Sequence, residues 1–183
     1  MTAMPDTSIA NSSSTTIRQI RASDLKHVIT DLIDVFVDTV NNGSPLGFLP
    51  PITREDARDH WISLLPELNP ENRILLVACN EEGRVVGSGQ LLLSQRQNSP
   101  HRAELQKLFV SRSARGQGIG ESLVLALHHV ARQHGRTLIT LNTRSAVDFY
   151  KDLGYKVAGM VPGWSIGREG ERYDHFTMYT ELS

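Results

Sequence analysis

The stretch LQKLFVSRSARGQGIGESLV, residues 105–124, runs from a strand-like segment through a glycine-rich loop into a helix-like segment. Its centre, Arg115-Gly116-Gln117-Gly118-Ile119-Gly120, places three glycines at alternate positions. Such a loop lets the backbone approach a ligand closely and turns its N–H groups the same way. The following helix adds unpaired N–H groups and the positive end of its dipole, so the segment suits a phosphate or pyrophosphate. Arg115 adds a cationic fork. A Walker loop is excluded, because Gly120 is followed by Glu121-Ser122 where Lys-Ser/Thr is required. A dinucleotide fingerprint fits poorly: the run is G-x-G-x-G, and it follows the fourth strand-like segment instead of the first. Taken alone, the same glycines also read as ordinary tight turns.

Outward from the loop, the pattern on both sides is regular. Thr16 to Arg21 alternates as a first strand, and Ser23-Asp24 offers a cap for a helix with Leu25, Val28, Leu32, Phe36 and Val40 on one face. Thr53 with Asp56 three residues on marks a second helix start, which Trp61 and Leu64 continue towards the core. Arg73–Cys79 and Val85–Leu93 flank the turn Asn80-Glu81-Glu82-Gly83 and form the strongest hairpin signal. Arg102–Val110 is a further strand. After the loop come a helix to about His134, a strand from Leu138, a helix from about Ser145 to Leu153, and strands over Tyr155–Met160 and Tyr173–Leu182. Pro162-Gly163-Trp164 is expected in the loop between the last two strands. Hairpins mixed with strand–helix–strand crossovers give an α/β (α+β) sheet covered by helices, not a purely parallel one.

Composition narrows the function. A chain of 183 residues with 39% hydrophobic content makes one domain with one sizeable core. That domain is expected over residues 17–183, after a Ser/Thr-rich, Lys/Arg-free segment 1–16 read as a disordered tail. The 19 Lys and Arg against 20 Asp and Glu leave a net charge of −1, which argues against general nucleic-acid or polybasic membrane binding. The single cysteine, Cys79, excludes an internal disulfide framework and fits a reducing, cytoplasmic setting. No apolar run approaches the ~20 residues that span a bilayer. The seven histidines show no metal-ligand spacing, so no metal is expected; His60 and His175 are expected at the surface.

The glycine loop also fits Arg/Gln-x-x-Gly-x-Gly/Ala, as Arg115, Gly118 and Gly120. About thirty residues on, AVDFYKDLGY at residues 146–155 resembles the segment A-x-x-F-Y-x-x-L-G-F/Y. With these two motifs at this separation, the chain from about residue 17 to 183 resembles the GNAT superfamily of acetyl-CoA-dependent N-acetyltransferases. Gly47-Phe48, RAELQKL at 102–108 and Pro162-Gly163-Trp164 resemble the branch that contains the tabtoxin resistance protein.

The resemblance implies a mixed, mostly antiparallel sheet of six to seven strands flanked by about four helices, with splayed central parallel strands. It implies transfer of an acetyl group from acetyl-CoA to a primary amine of a small molecule by direct attack. Two other functions remain open: a non-catalytic acyl-CoA-binding or sensing module, and a peptide or protein N-acetyltransferase. The cofactor pyrophosphate would lie on Arg115, Gly116, Gln117, Gly118, Ile119, Gly120 and Glu121, with Ser122 as a further donor and Arg112 nearby. Leu108, Phe109 and Val110 would bind the pantetheine arm, with the Val110 N–H polarising the thioester carbonyl. Tyr150 would protonate the departing thiolate while its neighbour Phe149 faces the core. Glu104 matches a carboxylate general base, with Arg102 or Lys107 as its alternative ion partner. Gln106 shares its strand face. Asn142 would touch the pantetheine, and Phe48 and Trp164 would wall the amine site. Homodimers are frequent in the superfamily, but the sequence singles out no exposed stripe for one.

Overall fold

The computed structural model describes residues 9–10, 15–44 and 46–183. Its elements in chain order are β1 (Ile9–Ala10), β2 (Thr16–Ile20), α1 (Leu25–Asn41), α2 (Arg54–Ser63), β3 (Arg73–Cys79), β4 (Val85–Leu93) and β5 (Arg102–Val110). Then follow α3 (Ile119–Gln133), β6 (Leu138–Thr143), α4 (Val147–Asp152), β7 (Lys156–Ile166) and β8 (Arg172–Glu181). Among the described residues they form one sheet, ordered β1-β2-β3-β4-β5-β6-β8-β7. Only β5 and β6 pair in parallel; the other neighbours are antiparallel. Seven full strands, the two-residue β1 and four helices bear out the expected mixed sheet. Of the expected tail, residues 1–8 and 11–14 lie outside the described residues; Ile9 and Ala10 pair with Ile17 and Thr16.

Local chemistry fixes the helices beside the site. α2 starts in a complete capping box, in which Thr53 Oγ1 accepts from the Asp56 N–H at 3.1 Å and Asp56 Oδ2 accepts from the Thr53 N–H at 2.7 Å. The Asn41 side chain clasps the α1–α2 linker, accepting from the Ile52 N–H at 2.8 Å and donating to its carbonyl at 3.0 Å. This clasp holds the segment that carries Leu46, Gly47 and Phe48 against the sheet.

The sheet has a core on each face. Ile74, Leu76, Leu91, Leu105, Ile139 and Leu141 pack on one face against α3 and α4. Leu75, Val77 and Phe109 pack on the other against α1 and α2, where Phe36 and Trp61 are fully buried. Trp61 is thus a core residue, as its helix position suggests.

Two strands depart from simple alternation. In β5 the pairing with β4 shifts between Ser88–Phe109 and Gln90–Gln106, so β5 carries one extra residue. Lys107 takes a left-handed φ of +49° there, the geometry of a β-bulge. In β7, Pro162-Gly163-Trp164 is not a loop but an irregular part of the strand, between Val161 and Ser165. A proline is tolerated there because β7 is the sheet's outer strand and owes no hydrogen bond to a further neighbour. The Gly163 N–H donates to Asp174 Oδ1 on β8 at 2.8 Å. β7 also displays the apolar stripe that the sequence had not singled out: Val157, Met160, Val161, Trp164 and Ile166 are all exposed.

Candidate active site

Parallel pairing between β5 and β6 covers Arg102–Leu138, Ala103–Ile139 and Glu104–Thr140, and then stops. β5 continues to Val110 beside β4, while β6 continues to Thr143 beside β8. The two strands part, and Glu104 stands at the apex. Backbone groups of β5 beyond Glu104 on the β6 side therefore face an open wedge. Ser111 N–H donates to Val86 O on β4 at 2.7 Å, so by alternation the Val110 N–H points the other way, into the wedge. The same alternation turns the Leu108 N–H into the wedge.

The glycine loop closes the wide end. Gly116 and Gly118 have φ of +75° and +74°, which only glycine adopts at little cost, and a Cβ at either would meet nothing within 4 Å. Gly118 caps α3, and the first helical bond of that end is Ser122 N–H to Gly118 O at 3.0 Å. The N–H groups of Ile119, Gly120 and Glu121 thus have no carbonyl one turn back. Ser122 Oγ donates to Gly118 O at 3.0 Å, and Arg115 Nε donates to Val110 O at 3.2 Å, which ties the loop to the end of β5. Arg112 is engaged elsewhere: its Nη1 donates to Asn42 Oδ1 at 3.0 Å.

Gly120, unlike Gly116 and Gly118, faces packed neighbours. A Cβ there would sit 3.5 Å from Phe149 Cζ and 3.9 Å from Val110 Cγ2, so α4 packs across the loop through Phe149. Tyr150 is the more deeply buried of the pair, 6% exposed, with its ring 5.0 Å from Phe149 and 5.3 Å from Tyr155. This reverses the expected division, in which Phe149 faced the core. Helix α4 has only six residues, and Tyr150 is its residue in the main core, between Phe149 and Tyr155. Burial raises the Tyr150 phenol above its ordinary range, so it stays protonated at neutral pH.

On the α1/α2 face, Glu104 and Gln106 join a partly buried polar chain. Arg73, with its side chain 10% exposed, gives Nε and Nη2 to Glu67 Oε2 at 2.8 and 2.7 Å. Its Nη1 donates to Gln90 Oε1 at 2.9 Å and to Gln106 Oε1 at 3.0 Å. Gln106 Nε2 then donates to Glu104 Oε1 at 3.0 Å. Glu104 is therefore held by Gln106, not by Arg102 or Lys107. Asn142, exposed on β6, accepts from Thr177 Oγ1 at 2.8 Å. Trp164, 51% exposed, stacks on His175 at 6.0 Å, and the sheet order places its strand three positions from β5.

Two neighbours of Phe48 were missed in the sequence. Lys107 Nζ donates to Leu46 O and lies 5.4 Å from the Phe48 ring centroid. His60, expected at the surface, is half-buried, stacked on Phe36 at 5.2 Å and edge-on to Phe48 at 5.2 Å. Burial, then Lys107 and Arg73, hold its pKa down to about 4, so it is neutral. The helical spacing of His60 beside the core residue Trp61 gives no such signal. Among the described residues no group of three or more His, Cys, Asp or Glu could hold a metal ion, and no helix is long and apolar enough to cross a membrane.

An N–H-rich loop and helix end, set at the mouth of two parting parallel strands, define a protein built to take an extended cofactor with an anionic middle. Comparison with known proteins agrees. The profile of the Acetyltransferase (GNAT) family matches residues 36–155, well over half of the chain. An uncharacterized N-acetyltransferase of Methanocaldococcus jannaschii is 35% identical over 66 residues, which is 34% of this chain and 29% of that protein. The chain thus matches less than a third of that relative's length. An acetyltransferase of the GNAT family from Streptococcus pneumoniae superposes with a TM-score of 0.73 at 20% identity, covering 92% of this chain and 99% of that one. A GNAT superfamily phosphinothricin acetyltransferase from Sinorhizobium meliloti, solved in complex with acetyl-CoA, gives 0.72 at 20% identity, covering 93% and 89%. At these identities the solved structures speak for the fold. The chain belongs to the Acetyltransferase (GNAT) family.

Proposed function

We propose that the protein transfers the acetyl group of acetyl-CoA to a primary amine of a small molecule. The observation that carries this reading is the wedge between β5 and β6, with backbone N–H groups turned into it and the glycine loop at its mouth. The pantetheine arm pairs with β5 as an added strand would, and the pyrophosphate rests on residues 116–121. Glu121 sits exposed in the first turn of α3 and would point away from that anion.

The family resemblance implies the Val110 N–H as the group that polarises the thioester carbonyl. Across the bulge Glu104 and Val110 pair with Leu92 and Gly87, so at ~3.3 Å of rise per residue Val110 lies about 17 Å along the sheet from Glu104, and Leu108 lies two residues nearer. We therefore assign the carbonyl to the Leu108 N–H and leave Val110 to the arm. The amine gives up its proton towards Glu104 through a chain of waters, and its nitrogen attacks the carbonyl carbon. A C–N bond forms, and the Leu108 N–H holds the oxyanion of the tetrahedral intermediate. The intermediate collapses with cleavage of the C–S bond; Tyr150 gives its phenolic proton to the thiolate and recovers one from the cationic nitrogen of the intermediate, which leaves as the neutral amide. Gln106 fixes Glu104, Asn142 borders the arm, and Phe48 walls the amine side.

Gly47-Phe48 and the RAELQKL strand support placement in the branch with the tabtoxin resistance protein. Pairing of two copies over the exposed β7 stripe belongs to the same reading, since apolar side chains on an outer strand are what such a contact covers. The test of function is release of free CoA thiol from acetyl-CoA in the presence of amino acids, polyamines, aminoglycosides and peptides. Amine-dependent release with at least one small amine is expected. Saturable acetyl-CoA binding without release for any amine would favour the non-catalytic module, and release with peptides alone would favour the peptide acetyltransferase.

A further inference from the structure

The β5 bulge changes which side chains meet. In an unbroken strand Lys107 would point to the α3 face, opposite Gln106. The extra residue at φ +49° instead brings Lys107 to the α1/α2 face beside Gln106, beneath the 46–48 segment. That segment is fitted to it: a Cβ at Gly47 would stand 3.2 Å from Lys107 Nζ.

The charge brought there is unbalanced. The Arg73 guanidinium has Glu67 as its counter-ion, but Lys107 forms no ion pair with a carboxylate among the described residues. Its contacts are a carbonyl oxygen and an aromatic face, neither of which carries a full negative charge. A half-buried cation without a counter-ion is costly. Unpaired polar atoms lie in the same neighbourhood: besides His60 Nε2, which as a neutral imidazole can accept or donate, two are donors. Trp61 Nε1 and Gln90 Nε2 are buried with no hydrogen-bond partner among the described residues, and both residues have 0% exposure. Both groups can only donate. Burial and Arg73 lower the Lys107 pKa, as expected for a cation lacking an anion.

In the proposed mechanism the acceptor's amine stands near Leu108, the next residue on the strand. We propose that Lys107 binds an anionic group of the acceptor, so that the preferred substrate is a small amine carrying a carboxylate. Glu104 and Lys107 then present opposite charges on one face of β5, matching an ammonium and a carboxylate on one small molecule. This rests on the acetyltransferase reading and names the class of its acceptor.

The experiment compares free α-, β- and γ-amino acids with their carboxamides in acetyl-CoA turnover, for the wild type, Lys107→Met and Lys107→Arg. Hydrogen bonds to charged groups contribute ~1.5–3 kcal/mol, so the wild type should favour acids over amides by roughly 10- to 100-fold in kcat/KM. Lys107→Met should raise KM for the acids until the preference disappears, with acetyl-CoA affinity unchanged, and Lys107→Arg should keep it. If Lys107 merely staples the 46–48 segment, Lys107→Met would slow acids and amides alike, which overturns the proposal. Equal or better turnover of amides by the wild type also overturns it, whatever the variants do, and leaves the acetyltransferase reading intact. No transfer to either set, with transfer to other amines, overturns the proposal alone; no transfer to any amine overturns both.

Discussion

Gly118→Glu should abolish acetyl-CoA binding, with an affinity loss of more than ~100-fold by calorimetric titration. Gly118 caps α3 at φ +74°, in open space, so a larger residue fits without collision inside the protein. It pays a left-handed backbone cost of ~1–2 kcal/mol. Gly118→Ala shares that cost but adds no charge, and it separates strain from electrostatics. The glutamate sets a carboxylate where the pyrophosphate must lie, at a helix end whose N–H groups it can itself occupy. The two variants should therefore melt at similar temperatures, while only Gly118→Glu loses the cofactor. Acetyl-CoA affinity within a few-fold of wild type in Gly118→Glu would remove the phosphate-loop assignment.

Tyr150→Phe should lower kcat by ~10²–10⁴-fold, the range of general acid catalysis, with little change in acetyl-CoA affinity. The ring contacts with Phe149 and Tyr155 survive this change, so stability should hold. The raised phenol pKa also has a kinetic consequence. Tyr150 keeps its proton throughout the neutral and mildly alkaline range, so any fall in rate as pH rises towards ~9 must come from another group. Unchanged kcat in Tyr150→Phe would leave the tyrosine as a core residue only.

Strand boundaries were legible because β3 and β4 are short, nearly continuous runs of strand-forming residues on either side of the local Asn80–Gly83 turn, and the first half of β5 alternates. The observed ranges Arg73–Cys79, Val85–Leu93 and Arg102–Val110 coincide with those expected. The glycine loop was legible for a related reason, since a left-handed backbone leaves its mark in residue type at Gly116 and Gly118. What stayed hidden depends on one-residue shifts. The bulge at Lys107 has no glycine to announce it, and it moves a lysine across the sheet. Pro162-Gly163-Trp164 carries loop composition, yet an outer strand absorbs it. The choice between Phe149 and Tyr150 turns on a six-residue helix, too short for periodicity to orient. His60 was hidden because the irregular linker that precedes its helix folds back and covers its ring with Phe48, a contact that no helical period encodes.

The central claim is that acetyl-CoA lies in the β5/β6 wedge with its pyrophosphate on the glycine loop. Titration of acetyl-CoA into ¹⁵N-labelled protein, followed by amide correlation spectra, tests it most directly. Saturable shifts should be largest at Leu108, Val110 and residues 116–121, with smaller ones at Asn142 and Tyr150. Absence of saturable binding, or shifts centred away from the wedge, would contradict the claim.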